Sequence, residues 1–301
     1  MAANPSKLKV GDLVRFVSPA STPEKDAVLR RAALLESWGL TVDFGRHVFD
    51  KHAYLAGTDE QRLADLNGAI RDPRVRAIFA TRGGKGSYRI ADRLDVRAID
   101  KDPKFIVGFS DITILHLSAC RHSGLIGIHG ALVTDDAGQF DIANCEALRD
   151  ALMSPGYATI HASPDEPTSA LSTRGTASGR LIGGNLDMVA TAAGWALPDL
   201  DGALLLLEAT GMHLGQVDRQ LTMLRKAGHL DGLAGIALGQ FTGFDLERNF
   251  TIIDLLRDHL AGVGVPVLGG LPLGHGSRPL AVPIGAMAVL AAGAGTLSFP
   301  P

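Results

Sequence analysis

The stretch KFIVGFSDITILHLSACRHSG, residues 104–124, decides how the chain is read. Its apolar run FIVGFS (105–110) has the length and composition of a buried strand, and residues 111–123 have helical spacing. Ser110 therefore stands where a strand turns into a helix. Two readings are open. Ser110 or Asp111 could be an ordinary N-cap, which requires no chemistry. Alternatively, Ser110 is a nucleophile on a sharp turn, with the free N–H groups and positive end of the helix beside it. Gly108 permits a tight bend. The elbow pattern G-x-S-x-G would need glycine at position 112, where this chain has Ile112.

Outward from this turn, strand and helix patterns alternate. DLVRFVSPA (12–20), LTVDFG (40–45) and VRAIFATRGG (75–84) read as strands. PEKDAVLRRAALLESWG (23–39) reads as a helix, with Pro in its first turn and Gly39 near its end. TDEQRLADLNGAIRD (58–72) is a second helix, opened by a Thr58/Gln61 capping box. Such alternation predicts an α/β fold: an N-terminal flavodoxin-like parallel sheet with helices on both faces. Residues 154–180 are rich in Pro, Ser, Thr and Gly and read as a crossing between domains. The expected division is an N-terminal domain over 1–160, a linker over 161–178 and a smaller C-terminal α/β domain over 179–301. Within the latter, strands are expected at 203–208, 235–241 and 266–271. Helices are expected near 185–194, 214–228 and 251–262, with a closing hairpin around AGAG in 288–299.

Composition limits the function. Of 301 residues, 46% are hydrophobic and 20% charged, as in a globular enzyme, and the net charge of −3 offers no basic field for nucleic acid. The first twenty residues lack an apolar h-region and do not read as a secretory signal. IGAMAVLAAGA, from 284, is too short to span a bilayer. Cys120 and Cys145 have neither metal spacing nor a disulfide framework, and no HEXXH-type or Cys/His cluster occurs, so neither a metal nor a cofactor is expected. A reducing cytoplasm is the simplest compartment.

Three further places could hold chemistry. TRGGKGS (81–87) is a Gly-rich loop after a strand. It is either a plain βα turn or a close approach for a ligand, with Arg82 able to grip a carboxylate. Glu208 ends ALLLLE. A carboxylate there is either exposed at the strand end, ion-paired with Arg219 or Arg225, or held for function. His275 lies in LPLGHGSRP, and nothing local raises it above His129 or His213.

Taken together, the segments VGDLVRFVSPAS, AYLAGTDEQRLADLNGAIRDPRVRAIFATRGGKGS, DPKFIVGFSDITILHLSACRHSGLIGIHGALV, GRLIGGNLDMVATAAG, GALLLLEATG, VDRQLTMLRKAGHLDGLAGIALGQF and VLGGLPLGHG resemble, in order, the serine LD-carboxypeptidase family. That family includes murein tetrapeptide carboxypeptidases and microcin-immunity peptidases. The resemblance implies a Ser110–His275–Glu208 triad, with Ser110 as nucleophile, His275 as base and Glu208 as acid. It also implies an oxyanion hole made of the backbone N–H groups of Gly84 and Asp111. The implied substrate is a small peptide, a murein tetrapeptide losing its terminal D-alanine, and the implied assembly is a homodimer. Arg82 and Lys85 are the candidate substrate contacts. Lys85 replaces an aromatic common in the family's RGG-x-G loop, and GMHLGQVDR stands where many members carry a Glu-Pro-Tyr-like segment. The alternatives are a peptidase of the microcin-immunity type, acting on aminoacyl-adenylate-like amides, and a non-catalytic cleft-binding protein.

Overall fold

A computed structural model describes residues 4–133, 139–244, 249–276 and 278–300. The expected alternation is present. Strands β1 (Leu13–Val17), β2 (Thr41–Phe44), β3 (Val75–Ala80), β4 (Phe105–Gly108) and β5 (Gly127–His129) pair in parallel in the order β2-β1-β3-β4-β5. This is the doubly wound order, whose ligand crevice lies at the carboxyl ends of the strands beside β1 and β3. Helices α1 (Lys25–Ser37), α2 (Asp59–Arg71), α3 (Val96–Lys101), α4 (Thr113–Ser123) and α5 (Ile142–Met153) complete this half. The Thr58/Gln61 capping box opens α2 as its sequence requires.

Strand alternation sorts the core by face. Phe16, Phe79, Phe105 and Val107 pack on one side with Val28 and Leu35 of α1 and Leu148 of α5. Val17, Ile78 and Ile106 point to the other, where Leu66 and Ile70 of α2 and Ile114 and Leu117 of α4 cover them. Every residue of α4 from Thr113 to Cys120 is buried, which explains its weak amphipathic pattern: it has no solvent face to mark.

The second sheet is built from β6 (Ile160–His161), β7 (Thr176–Asn185), β8 (Leu204–Thr210), β9 (Gly235–Thr242) and β10 (Val267–Leu268). Later come β11 (Val282–Ile284), β12 (Met287–Ala291) and β13 (Thr296–Ser298). Its order is β10-β9-β8-β7-β12-β13-β6. Helices α6 (Leu186–Ala192), α7 (Leu214–Lys226) and α8 (Ile252–Leu260) pack against it. The hairpin around AGAG is β12–β13. The polar segment 154–180 contains β6 and the first half of β7, which pairs antiparallel with β12 before its second half pairs parallel with β8.

Strand β11 does not join this sheet. It returns to the first one and pairs antiparallel with β5. The two halves also share a core, in which Ile114 and Leu117 of α4 belong to the same cluster as Leu186 and Val189 of α6. The chain from β10 to β11 therefore bridges the two sheets, and His275 lies on that bridge.

Two histidines are sealed in this core. His129 is 1% exposed and neither ring nitrogen has a partner among the described residues, while His116 Nε2 donates to Ile106 O at 3.0 Å and its Nδ1 has none. Burial holds His129 down at about 3, reinforced by His116 and His275, and burial holds His116 at about 4. Both are neutral in the fold down to those values, whereas in the unfolded chain they protonate near pH 6.5. As pH falls from 6.5 towards 4 the unfolded state takes up protons that the native state refuses. Their contribution is complete above pH 6.5 and is lost on acidification. Between pH 7 and pH 5 each histidine should remove about 2 kcal/mol of stability. A His129→Leu variant should show a shallower loss by about that amount in urea titrations at the two pH values. An unchanged pH slope would mean that His129 is charged inside the fold.

Candidate active site

The turn after β4 does not fit an ordinary cap at Ser110. Its φ is +62°, a left-handed conformation uncommon for a side chain with a Cβ. Ser110 is the first residue of a single 3-10 turn, residues 110–112, that runs into α4. The capping position of that turn is Phe109, and Ser110 makes no capping hydrogen bond. An N-cap has extended backbone and gives its oxygen to the helix; Ser110 does neither. Holding serine in this region costs on the order of 1–3 kcal/mol, a strain found mostly at functional sites.

The surroundings enforce the strain. A Cβ on Gly83 would lie 2.8 Å from Ser110 Cβ, so the Gly-rich loop can touch the elbow only because position 83 has no side chain. Ser87 N–H donates to Asp111 Oδ2 at 2.7 Å, tying the loop to the turn from the other side. Burial pushes the Asp111 carboxyl above the usual range, with the Ser87 hydrogen bonds opposing it. Arg62, 1% exposed, donates through Nη1 to Pro19 O and to Gly86 O, the latter at 2.9 Å. It clamps the loops after β1 and β3 to each other. The backbone N–H groups of Gly84 and Asp111 donate to no acceptor among the described residues.

The other half supplies the charge. Glu208 is wholly buried at a register break in β8, between Leu207 and Ala209. It has no bond to Arg219 or Arg225. Its Oε2 lies 2.7 Å from His275 Nδ1, and its Oε1 accepts from Asn185 Nδ2 at 3.1 Å. Gly274, at φ +122°, lets the backbone pass over the carboxylate; a Cβ there would sit 2.6 Å from Oε2. A carboxylate with both oxygens taken by donors can be buried, which answers why an acid ends an apolar strand. With Nδ1–H given to Glu208, the neutral imidazole presents Nε2 as an acceptor. The His275 ring packs on Phe109, the residue before the serine, with centroids 4.7 Å apart.

Ser110 and His275 line one cleft of 390 Å³, together with Gly84 and Arg82. Its floor is the carboxyl ends of β1, β3 and β4, at Phe16, Phe79 and Val107. Lys85 is exposed and does not line it; its N–H donates to Ser21 Oγ at 3.1 Å. Among the described residues no group of three His, Cys, Asp or Glu side chains could hold a metal, and no helix is long and apolar enough to cross a membrane.

Asn185, inside the segment GRLIGGNLDMVATAAG, is not among the residues to which the sequence assigns a role. Its side chain fixes Glu208 and its backbone N–H donates to Thr113 Oγ1 at 3.1 Å, so one residue links the acid to the helix that follows the serine. The only local signal was two glycines before an amide at a strand end.

Residues 14–130 match the LD-carboxypeptidase N-terminal domain, and residues 178–290 match the LD-carboxypeptidase C-terminal domain. A probable murein peptide carboxypeptidase of Bacillus subtilis is 35% identical, over 95% of this chain and 91% of its own length. The chain belongs to the LD-carboxypeptidase family. The murein tetrapeptide carboxypeptidase of Pseudomonas aeruginosa is 34% identical over 92% of both chains. The wild-type apo structure of the microcin C7 self-immunity protein MccF superposes with a TM-score of 0.87, over 99% of this chain and 98% of that one. At 24% identity it shows a shared fold. The LD-carboxypeptidase domains meet at this cleft: the serine comes from the first matched segment, and Glu208 and His275 from the second.

Proposed function

We propose that the protein is a serine carboxypeptidase that hydrolyses the amide between the L-centre of a diamino acid and the terminal D-alanine of murein tetrapeptides. The observation that carries this is His275, held at Nδ1 by the buried Glu208 carboxylate at 2.7 Å and lining the same cleft as a serine held at φ +62°. His275 Nε2 takes the Ser110 proton as Oγ bonds to the carbonyl carbon. The N–H groups of Gly84 and Asp111 receive the oxyanion, having no other acceptor to leave. The C–N bond then breaks, and His275 returns the proton to the departing D-alanine amine. Water attacks the acyl-enzyme by the same route and frees Ser110. The contact between hydroxyl and imidazole is completed with substrate in place.

Amides of the aminoacyl-adenylate type are the competing substrate. Stacking an adenine calls for an aromatic platform; Phe16, Phe79 and Phe109 line the cleft and neither tryptophan does, Trp38 packing in the core with α1 and Trp195 donating its indole N–H to Thr191 O. The murein reading is favoured by the murein carboxypeptidase relatives, at 34–35% identity against 26% for MccF of Escherichia coli. Incubation with L-Ala-D-Glu-meso-diaminopimelate-D-Ala should release D-alanine and leave the tripeptide. Hydrolysis of aminoacyl sulfamoyl adenosines, with no D-alanine released from the tetrapeptide, would transfer the assignment. The homodimer and cytoplasmic location expected of the family go with this proposal; light scattering of the purified protein checks the first.

A further inference from the structure

We infer that Arg31 is the residue that binds the terminal carboxylate of the substrate, making the cleft one for chain ends. This rests on the carboxypeptidase reading above. Arg31 lies on α1 and lines the same cleft as Ser110 and His275. Its guanidinium is fixed at two points: Nε donates to Leu132 O at 3.1 Å, and Nη1 to Thr81 O at 2.9 Å. Both acceptors are neutral carbonyls. They orient the fork without cancelling its charge, and they leave Nη2 and one Nη1 proton with no protein acceptor among the described residues.

Among the described residues no carboxylate forms an ion pair with this arginine. Among them the only acid lining the cleft is Glu24, whose two oxygens accept from Asp26 N at 2.9 Å and Ala27 N at 2.6 Å to cap α1. Its nearest cation is Arg30, at 3.9 Å. Burial weakens the charged form of Arg31, and Arg30 and Arg82 beside it weaken it further, with Glu24 opposing them in part but forming no ion pair with it. An oriented, half-buried cation with no carboxylate in direct contact among the described residues is costly unless an anion completes it. Its planar fork matches a carboxylate.

Arg82 lines the cleft too, but it is exposed and reaches Thr22 O only at 3.5 Å. Its charge is screened by water and its side chain must be ordered on binding, so it contributes less. Location completes the case. Thr81, which holds the guanidinium, is two residues before Gly83, which abuts Ser110. If a peptide with its scissile carbonyl over Ser110 directs its last residue towards the carboxyl ends of β1, β3 and β4, which line the same cleft, its terminal carboxylate comes to Arg31.

Direct calorimetric titration of the intact protein with N-acetyl-D-alanine and with N-acetyl-D-alanine amide tests this without relying on turnover. The parent should bind the acid at least tenfold more tightly than the amide. Arg31→Gln should lose on the order of 10- to 100-fold for the acid and leave the amide nearly unchanged, bringing the ratio close to one. Arg31→Lys, which keeps the charge without the fork, should retain part of the preference and provides the comparison if the glutamine variant unfolds early in a thermal scan. Arg82→Gln should alter the ratio only a few-fold. No acid preference in the parent, full preference in an Arg31 variant, or its loss in Arg82→Gln alone would each overturn the assignment. Acid preference with no D-alanine release from the tetrapeptide would instead remove the murein substrate and leave Arg31 as a carboxylate site.

Discussion

Ser110→Ala is expected to lower D-alanine release by a factor on the order of a thousand or more, with the fold unharmed. The hydroxyl is the only group at the elbow able to form an acyl bond, and Gly84 and Asp111 would still offer their N–H groups to the substrate carbonyl. What remains should be the small acceleration that binding and the oxyanion hole supply by themselves. Stability separates this role from a structural one. Alanine keeps a Cβ at φ +62°, so Ser110→Ala should change unfolding free energy by less than about 1 kcal/mol. Ser110→Gly removes the strained Cβ and should be as inactive, yet more stable than the parent by up to about 1 kcal/mol. Paired measurements of tetrapeptide turnover and urea midpoints read both effects. A fully active Ser110→Ala protein would end the serine mechanism.

Glu208→Gln should cut kcat by about 10³ to 10⁴ while leaving KM close to the parent value. The carboxylate accepts twice, from His275 Nδ1 and from Asn185 Nδ2. An amide has one acceptor oxygen and one NH₂ group, so it can serve only one of these donors. If its oxygen faces Asn185, its NH₂ faces the imidazole; Nδ1 must then accept, the ring proton moves to Nε2, and the base is gone. If its oxygen faces His275, two NH₂ groups confront each other in a site with no exposure. That arrangement should also cost about 1–3 kcal/mol of stability. Steady-state kinetics on the tetrapeptide separate the two parameters. A kcat within tenfold of the parent would mean that something other than Glu208 orients His275.

The two changes differ in how far the sequence anticipates them. The stretch 104–124 specifies its own strand, turn and helix, because each depends on neighbours a few residues away. The Thr58/Gln61 box and the alternating faces of β1, β3 and β4 are local in the same sense, and each took the form its pattern required. The region 154–180 gave no such signal. Its polar composition suits a crossing, yet β7 begins inside it at Thr176 because β12, more than a hundred residues later, supplies the pairing. His275 shows the same limit. It is one of ten histidines, and nothing near it distinguishes it from His129, which is sealed in the core without a hydrogen bond.

The order of amino acids thus determined most of the elements, the five parallel strands of the first sheet, the capped helices and the family. These follow from hydrophobic periodicity, turn chemistry and matching segments, all written along the chain. The tertiary structure alone decided that β11 crosses back to β5 and draws His275 with it, and that Asn185 secures Glu208. It alone placed Arg31, ion-paired with none of the described carboxylates, in the cleft that holds Ser110. Those facts depend on groups far apart in the chain meeting where water is excluded. There an unmatched donor or charge costs several kcal/mol, and only the folded arrangement reveals which of them are matched.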